Sequence, residues 1–122
     1  MQNDKEKFKK EFIQRLIKFS LENIRYCSEF RKDPNNWAIC DQLIRSSTSI
    51  GANVVEAKSS SSKRDYIKFF EIALKSANET IYWLLLVKSL SDAAEVDSLL
   101  KEAKEIAKIL ASSVLTLKGK RD

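Results

Sequence analysis

Arg45 to Glu79 reads RSSTSIGANVVEAKSSSSKRDYIKFFEIALKSANE, two helical patterns joined by the serines Ser59 to Ser62. In the first half Arg45, Ser49, Ala52, Asn53 and Glu56 recur at helical spacing, a polar stripe on an otherwise apolar helix. Ser46, Ser47, Ser49, Gly51 and Ala52 carry little side chain, so a neighbouring helix can approach closely enough to reach that stripe. A hairpin turning at the serines runs antiparallel and sets opposite one another residues whose numbers sum to about 124. In that register Arg45 meets Glu79, Ser49 meets Lys75 and Glu56 meets Lys68. An Arg45 to Glu79 ion pair is expected. If it is buried, loss of either partner costs about 3 to 5 kcal/mol, because the remaining charge is desolvated and alone. The set Arg45, Ser49, Asn53, Glu56, Ser76 and Glu79 reads as a structural polar network, with a binding site as the other reading.

Upstream of this stretch, a helix starting near Asn36 and fading at Ser59 turns Trp37, Cys40, Leu43, Ile44, Ser47, Ile50 and Val54 toward a core. Pro34 interrupts the chain before it, since the residue preceding proline is pushed out of the α region and the neighbouring asparagines favour turns. From residue 5 to 31, Phe8, Phe12, Leu16 and Phe19 form one apolar stripe, and Ile13, Ile17, Ile24 and Cys27 a second that overlaps it. Downstream, Ser62 and Asp65 have the spacing of a capping box with Asp in the usual Glu position. The serine tract therefore reads as a hinge and cap, with a flexible linker or a phosphorylation target as the alternatives.

The third helix, over 63–90, ends in a continuous apolar run from Ile81 to Val87 that wraps every face. One bundle core covers only part of that circumference, so Tyr82, Trp83 and Leu86 are assigned to an oligomer interface. The other reading is an aromatic belt left half exposed. A fourth helix over 93–118 carries Val96, Leu99, Leu100, Ala103, Ile106, Ala107, Leu110, Val114 and Leu117 at near-heptad spacing, after an acidic start suited to the helix dipole.

Length and composition agree with this pattern. With 122 residues, two glycines and one proline, the chain has too little turn chemistry for a β architecture and is long enough for one core. The expected fold is all-α, an antiparallel up-down four-helix bundle filling residues 1–122 as a single domain. The charged N-terminus lacks an apolar signal segment, and no run is long enough to span a bilayer, so a soluble cytoplasmic protein is expected. Cys27 and Cys40 flank the Pro34 turn and read as small buried apolar residues that could face each other. Two cysteines without any histidine make no zinc site, so no metal and no cofactor is expected.

The net charge of +5 shows no basic block along the sequence. Folding as an up-down bundle would gather Lys5, Lys7, Lys9, Lys10, Lys58, Lys63, Arg64, Lys68, Lys118, Lys120 and Arg121 at one pole, against fewer acids. Such a pole suits the phosphate backbone of RNA or DNA, bound without base readout and weakened by salt. A solvated rim that merely keeps the protein soluble is the alternative reading.

The segment Ser49-Ile50-Gly51-Ala52-Asn53-Val54-Val55-Glu56, preceded by Arg45 and followed by Phe69, Ile72-Ala73, Ser76 and Glu79, resembles a family pattern. The pattern is S-I-x-A-N-I-x-E with F-x-x-I-A-x-x-S-x-x-E, that of the 23S rRNA intervening sequence proteins. The resemblance implies a bacterial up-down bundle that assembles as a ring-like homopentamer, often encoded within an insertion in the large ribosomal RNA gene. Many members have Gly after the Glu of the first motif, where this chain has Ala57, so a less sharply stopped helix is expected there.

The functional expectation is a non-enzymatic homo-oligomer that binds nucleic acid through its basic pole. An oligomeric scaffold for a protein partner, anchored by Trp37, Tyr82 and Trp83, is the alternative. An enzyme fits least, because no nucleophile with a base, no phosphate-cradling glycine loop and no metal cluster can be read, and no small-molecule substrate is suggested. Glu56, Glu71 and Glu79 each have a cationic side chain in reach, which would hold them ionised rather than poise them as acids.

Overall fold

A computed structural model describes residues 3–119, and within them the chain forms four α-helices and no strand. They are α1 (Asp4–Phe30), α2 (Trp37–Ala57), α3 (Lys63–Ser91) and α4 (Ala94–Leu117), with a short 3-10 turn at Pro34–Asn36. The expected helix of 5–31 is displaced by one residue at each end, and that of 93–118 is one residue shorter at each end. The boundaries follow from capping chemistry. Asn3 Oδ1 accepts the Glu6 N–H at 2.8 Å to open α1, and Ser62 Oγ accepts the Asp65 N–H at 3.1 Å to open α3. The serine tract thus acts as a cap. Between α3 and α4 the left-handed backbone is carried by Asp92, φ 51°, whose N–H bonds the Lys88 carbonyl at 2.9 Å.

Ala57, which stands where a glycine was the alternative, still ends α2. Its methyl is buried in the core, so at this position the side chain fills space and the helix stops regardless. The 3-10 turn rotates the start of α2, and this moves Trp37 out of the core set expected for it. Trp37 is 53% exposed and its indole N–H donates to the Arg31 carbonyl at 2.8 Å, tying the turn rather than filling the interior.

The core runs the length of the molecule. Leu16 and Phe19 from α1, Leu43 and Ile50 from α2, Leu84 and Val87 from α3, and Ile106 and Leu110 from α4 are almost wholly removed from water. On α1 the interior draws on both expected stripes. Phe12, Leu16, Phe19, Tyr26 and Cys27 face inward, whereas Phe8, Ile17 and Ile24 stay exposed, because one interior can cover only part of a helix circumference.

Contacts between helices join a rising number on one to a falling number on the other. From α1 to α2 the Cys27 and Cys40 thiols each lie 4.0 Å from the other's carbonyl, and Ser20 Oγ lies 3.4 Å from the Ser47 carbonyl. Both cysteines are free and buried, and burial pushes the Cys27 thiol up to about 12. Between α2 and α3, Thr80 Oγ1 donates to Ser46 Oγ at 2.9 Å and Ser76 Oγ to Ser49 Oγ at 3.1 Å. Between α3 and α4, Lys88 Nζ pairs with Asp97 at 2.8 Å and Lys118 Nζ with Glu71 at 2.6 Å. A bidentate bridge from Arg15 to Glu102, at 2.6 and 2.7 Å, closes α1 onto α4.

These pairs correct the expected register. Arg45 does meet Glu79, but Ser49 meets Ser76 rather than Lys75, and Glu56 forms no ion pair with Lys68 or any other described residue. The inner contacts sit about one residue further along than the hairpin sum gave, since small hydroxyl residues interlock in the seam while the long charged ones lie outside it. The Arg45 to Glu79 pair is not buried: the two side chains are 59% and 31% exposed. Gly51, taken as clearance for the neighbouring hairpin helix, instead faces α1, where an added Cβ would meet Leu16 Cβ at 3.4 Å.

Candidate nucleic-acid interface

The four chain segments that converge at one end are the start of α1, the end of α2, the start of α3 and the end of α4. They meet around an open cleft of about 270 Å³, lined by Lys5, Phe8, Lys9 and Phe12 of α1, Val54 and Lys58, Tyr66 and Phe70 of α3, and Ser113, Thr116 and Leu117 of α4. Lys5, Lys7, Lys10, Lys58, Lys63, Arg64 and Lys68 are all exposed and make no ion pair or side-chain hydrogen bond among the described residues. Lys9 is held differently: its Nζ lies 5.3 Å from the centroid of the Tyr66 ring, a cation-π contact. Lys118 is neutralised by Glu71, which removes it from the free set. Lys120 and Arg121 lie outside the described residues.

The opposite end is built otherwise. There Arg31 pairs with Asp41 at 2.7 Å, Lys32 with Glu29 at 2.7 Å and Lys88 with Asp97 at 2.8 Å, and the hydrogen bond to Asp97 raises the Lys88 pKa. Internal counter-charges quench Arg31, Lys32 and Lys88 at this end, whereas at the other end Lys118 alone of the described cations has an acidic partner. Acids are present at the basic end too. Asp4, Glu6 and Asp65 occupy the first turns of α1 and α3, where they complement the helix dipole and leave most of the lysines unopposed.

The polar set of the α2 to α3 seam has a structural geometry. Asn53 Nδ2 donates to the Ser49 carbonyl at 2.8 Å and lies 3.1 Å from Ser49 Oγ, which in turn accepts from Ser76. Glu79 accepts from Arg45 and from the Trp83 indole N–H at 2.9 Å, while Gln42 Oε1 accepts from Arg45 Nη2 at 2.8 Å. These bonds run between neighbouring groups of the same two helices. Glu56, the last of the expected network, stands exposed apart from it.

Of the apolar run on α3, Leu84 and Val87 are buried, Ile81, Trp83 and Leu86 are half-buried, and Tyr82 is 54% exposed beside an exposed Leu85. Trp83 is thus a packed residue with a polar tether, and the exposed apolar residues of this run are Tyr82 and Leu85. A second exposed apolar strip, Ile17 and Leu21 of α1 with Val55 of α2, flanks a shallow groove floored by Gly51 and Ala52.

Two further features lie outside the pattern expected from the sequence. Arg15 and Glu102 sit on the first and last helices, 87 residues apart, beyond the reach of any local spacing rule. Asn23 is wholly buried, its Nδ2 bonded to the Phe19 carbonyl at 2.9 Å and its Oδ1 without a partner among the described residues. Its spacing of four from both Phe19 and Cys27 placed it on the core face, and that was the available signal.

The family pattern of 23S rRNA-intervening sequence proteins matches residues 9–112, which takes in nearly all of the four helices. The chain belongs to this family. Among solved structures it is similar to a protein of unknown function from the S23 ribosomal protein family of Bacteroides thetaiotaomicron VPI-5482. The two share 31% identity and a TM-score of 0.78, over 84% of this chain and 97% of that one. No curated protein matches it. As a member of the 23S rRNA-intervening sequence protein family it is a four-helix bundle, and no helix among its described residues is long and apolar enough to cross a membrane.

Proposed function

We propose that this family member is a non-enzymatic, homo-oligomeric bundle of the bacterial cytoplasm that binds the backbone of RNA or DNA through its basic end. The helices are taken as antiparallel and up-down, in keeping with contacts that pair rising with falling residue numbers. The observation that carries the reading is the unequal treatment of charge. Arg31, Lys32 and Lys88 at one end have acidic partners, while at the other end, Lys118 apart, the lysines and arginine among the described residues have none. Cations held apart from internal acids are available to displace counterions from a polyanion, which is the chief source of sequence-independent affinity.

Self-association, with the ring-like pentamer as the proposed form, is supported by the exposed apolar residues of α1, α2 and α3, including Ile17, Leu21, Val55, Tyr82 and Leu85. A second reading, a scaffold for another protein, draws on Trp37 and Tyr82, large side chains left more than half exposed as interface anchors often are.

Binding of the purified chain to a fluorescent structured RNA and to a DNA duplex of equal length, at several salt concentrations, tests the proposal. Log affinity is expected to fall linearly with log salt. The double variant Lys63→Glu, Arg64→Glu should flatten that slope by roughly 2, about one unit for each phosphate contact removed, while the oligomeric state stays as it was. Absence of binding at low salt, or a double variant that binds as well as the parent, would refute the basic-end reading. Loss of a protein partner on Tyr82→Ala or Trp37→Ala, with nucleic-acid binding absent, would favour the scaffold.

A further inference from the structure

The cleft at the basic end is more than a patch of charge, because its walls are aromatic. Phe8 and Phe12 of α1 stack with ring centroids 6.2 Å apart and planes 12° from parallel, and across the cleft Tyr66 and Phe70 of α3 stack at 5.0 Å. Phe12 and Phe70 are buried and belong to the core. Phe8 is 54% exposed, so one side of its ring is backed by Phe12 and the other is open to solvent. Lys5, Lys9 and Lys58 stand around the same opening, and no acidic residue among the described ones lines it.

Each of these features selects a different part of a ligand. A flat aromatic wall inside an otherwise apolar recess favours a planar π-system, whose stacking tolerates any base. The surrounding ammonium groups favour phosphate, and no carboxylate among the described lining residues opposes an anion. Ser113 and Thr116 of α4 also line the cleft, and the Ser113 hydroxyl donates to the Ile109 carbonyl at 2.8 Å. The volume, about 270 Å³, suits one such ring and not a rigid duplex. Lysines 63 and 68 and Arg64 extend the positive surface beyond the cleft along α3, further than a single nucleotide reaches.

We propose that this cleft receives one unstacked base of a single-stranded nucleic acid, stacked against Phe8, while the neighbouring phosphates lie on the free lysines. The inference rests on the backbone-binding function proposed above and narrows it to single strands. Lys9, now over the Tyr66 ring, is the residue placed to turn from that ring to a phosphate as the base enters.

The test compares a fluorescent twelve-nucleotide oligouridylate with an abasic strand of the same phosphate number, in fluorescence anisotropy with the full chain, alongside uridine monophosphate as competitor. The oligouridylate is expected to bind about tenfold more tightly than the abasic strand, the order of one stacked base. Phe8→Ala should abolish that difference while leaving the salt slope unchanged, and Phe8→Trp should preserve it. Circular dichroism of both variants, at an exposed position, checks that the helices are intact. Equal affinity of the parent protein for the two strands would overturn the cleft assignment and leave backbone binding standing. Failure of both strands to bind would overturn the basic-end function together with it. Tight uridine monophosphate binding without strand binding would overturn the assignment in favour of a free-nucleotide site.

Discussion

Replacing Asn23 by an apolar residue of similar size is expected to stabilise the protein. Asn23 is completely buried in α1, and its side chain satisfies only one of its two polar ends. The Nδ2 hydrogen bond to the Phe19 carbonyl reaches an oxygen that the helix ladder already uses, so its loss orphans nothing and costs about 1 kcal/mol. The unpartnered Oδ1 was stripped of water on folding, and removing it recovers about 1 to 3 kcal/mol. Added apolar burial acts in the same direction. For Asn23→Leu the balance is a gain of about 1 kcal/mol, which at this chain length raises Tm by roughly 4 °C. Urea unfolding followed by far-ultraviolet circular dichroism, at one fixed chain concentration so that self-association does not enter, gives the value directly. Asn23→Met serves beside Asn23→Leu, because a flexible side chain escapes the overpacking that a branched one could cause. If both variants lose more than about 1 kcal/mol with unchanged m-values, the carboxamide oxygen has a partner, such as an enclosed water, and the reasoning is wrong.

Arg45→Ala should cost about 1 kcal/mol or less, since its pair with Glu79 is partly exposed and screened; chemical denaturation would show it, and a loss of about 3 kcal/mol or more would mean the pair is buried in the assembled protein. Gly51→Ala is expected to stabilise by about 0.5 to 1 kcal/mol, because helix propensity rises and the new methyl meets Leu16 at an ordinary contact distance; a lower Tm would show that the α1 to α2 seam cannot accept it. Cys27 and Cys40 should resist a thiol reagent at pH 8 until denaturant is added, and rapid labelling of the native chain would contradict their burial. The raised Cys27 thiol pKa also sets a pH dependence. The folded state keeps a proton that the unfolded chain releases near its ordinary 9.0, so stability falls as pH rises from 9.0 toward about 12. Cys27→Ala should lessen that decline.

The helices were legible because their ends are written in local chemistry: Pro34 between α1 and α2, the Ser62 and Asp65 cap before α3, and an acidic start to α4. The α2 to α3 hairpin was legible as well, since four serines admit little else between two such apolar patterns. What the sequence did not reveal depends on how the bundle closes. Which residues of α1 turn inward is decided by the placement of three other helices, so Phe8, Ile17 and Ile24 read as core while Asn23 was passed over. Trp37 has the spacing of an interior residue, but the 3-10 turn before it rotates the helix start and points the indole to the Arg31 carbonyl. The basic pole was legible as a list of residues. That Lys118 is quenched by Glu71, and that the free lysines surround an aromatic cleft, depends on contacts between distant segments.

In the proposed oligomer, the lysines without internal partners would also bear on how copies of this chain meet. Subunits aligned with their basic ends together repel one another across distances up to the screening length, about 10 Å in 0.1 M salt. A polyanion laid over those ends cancels the repulsion, and whatever free energy it lends to association must return as tighter binding to the associated form. On the proposed function, dilute salt would then have opposite effects on the two states: disfavouring alignment of the bare subunits and firming their complex with a strand.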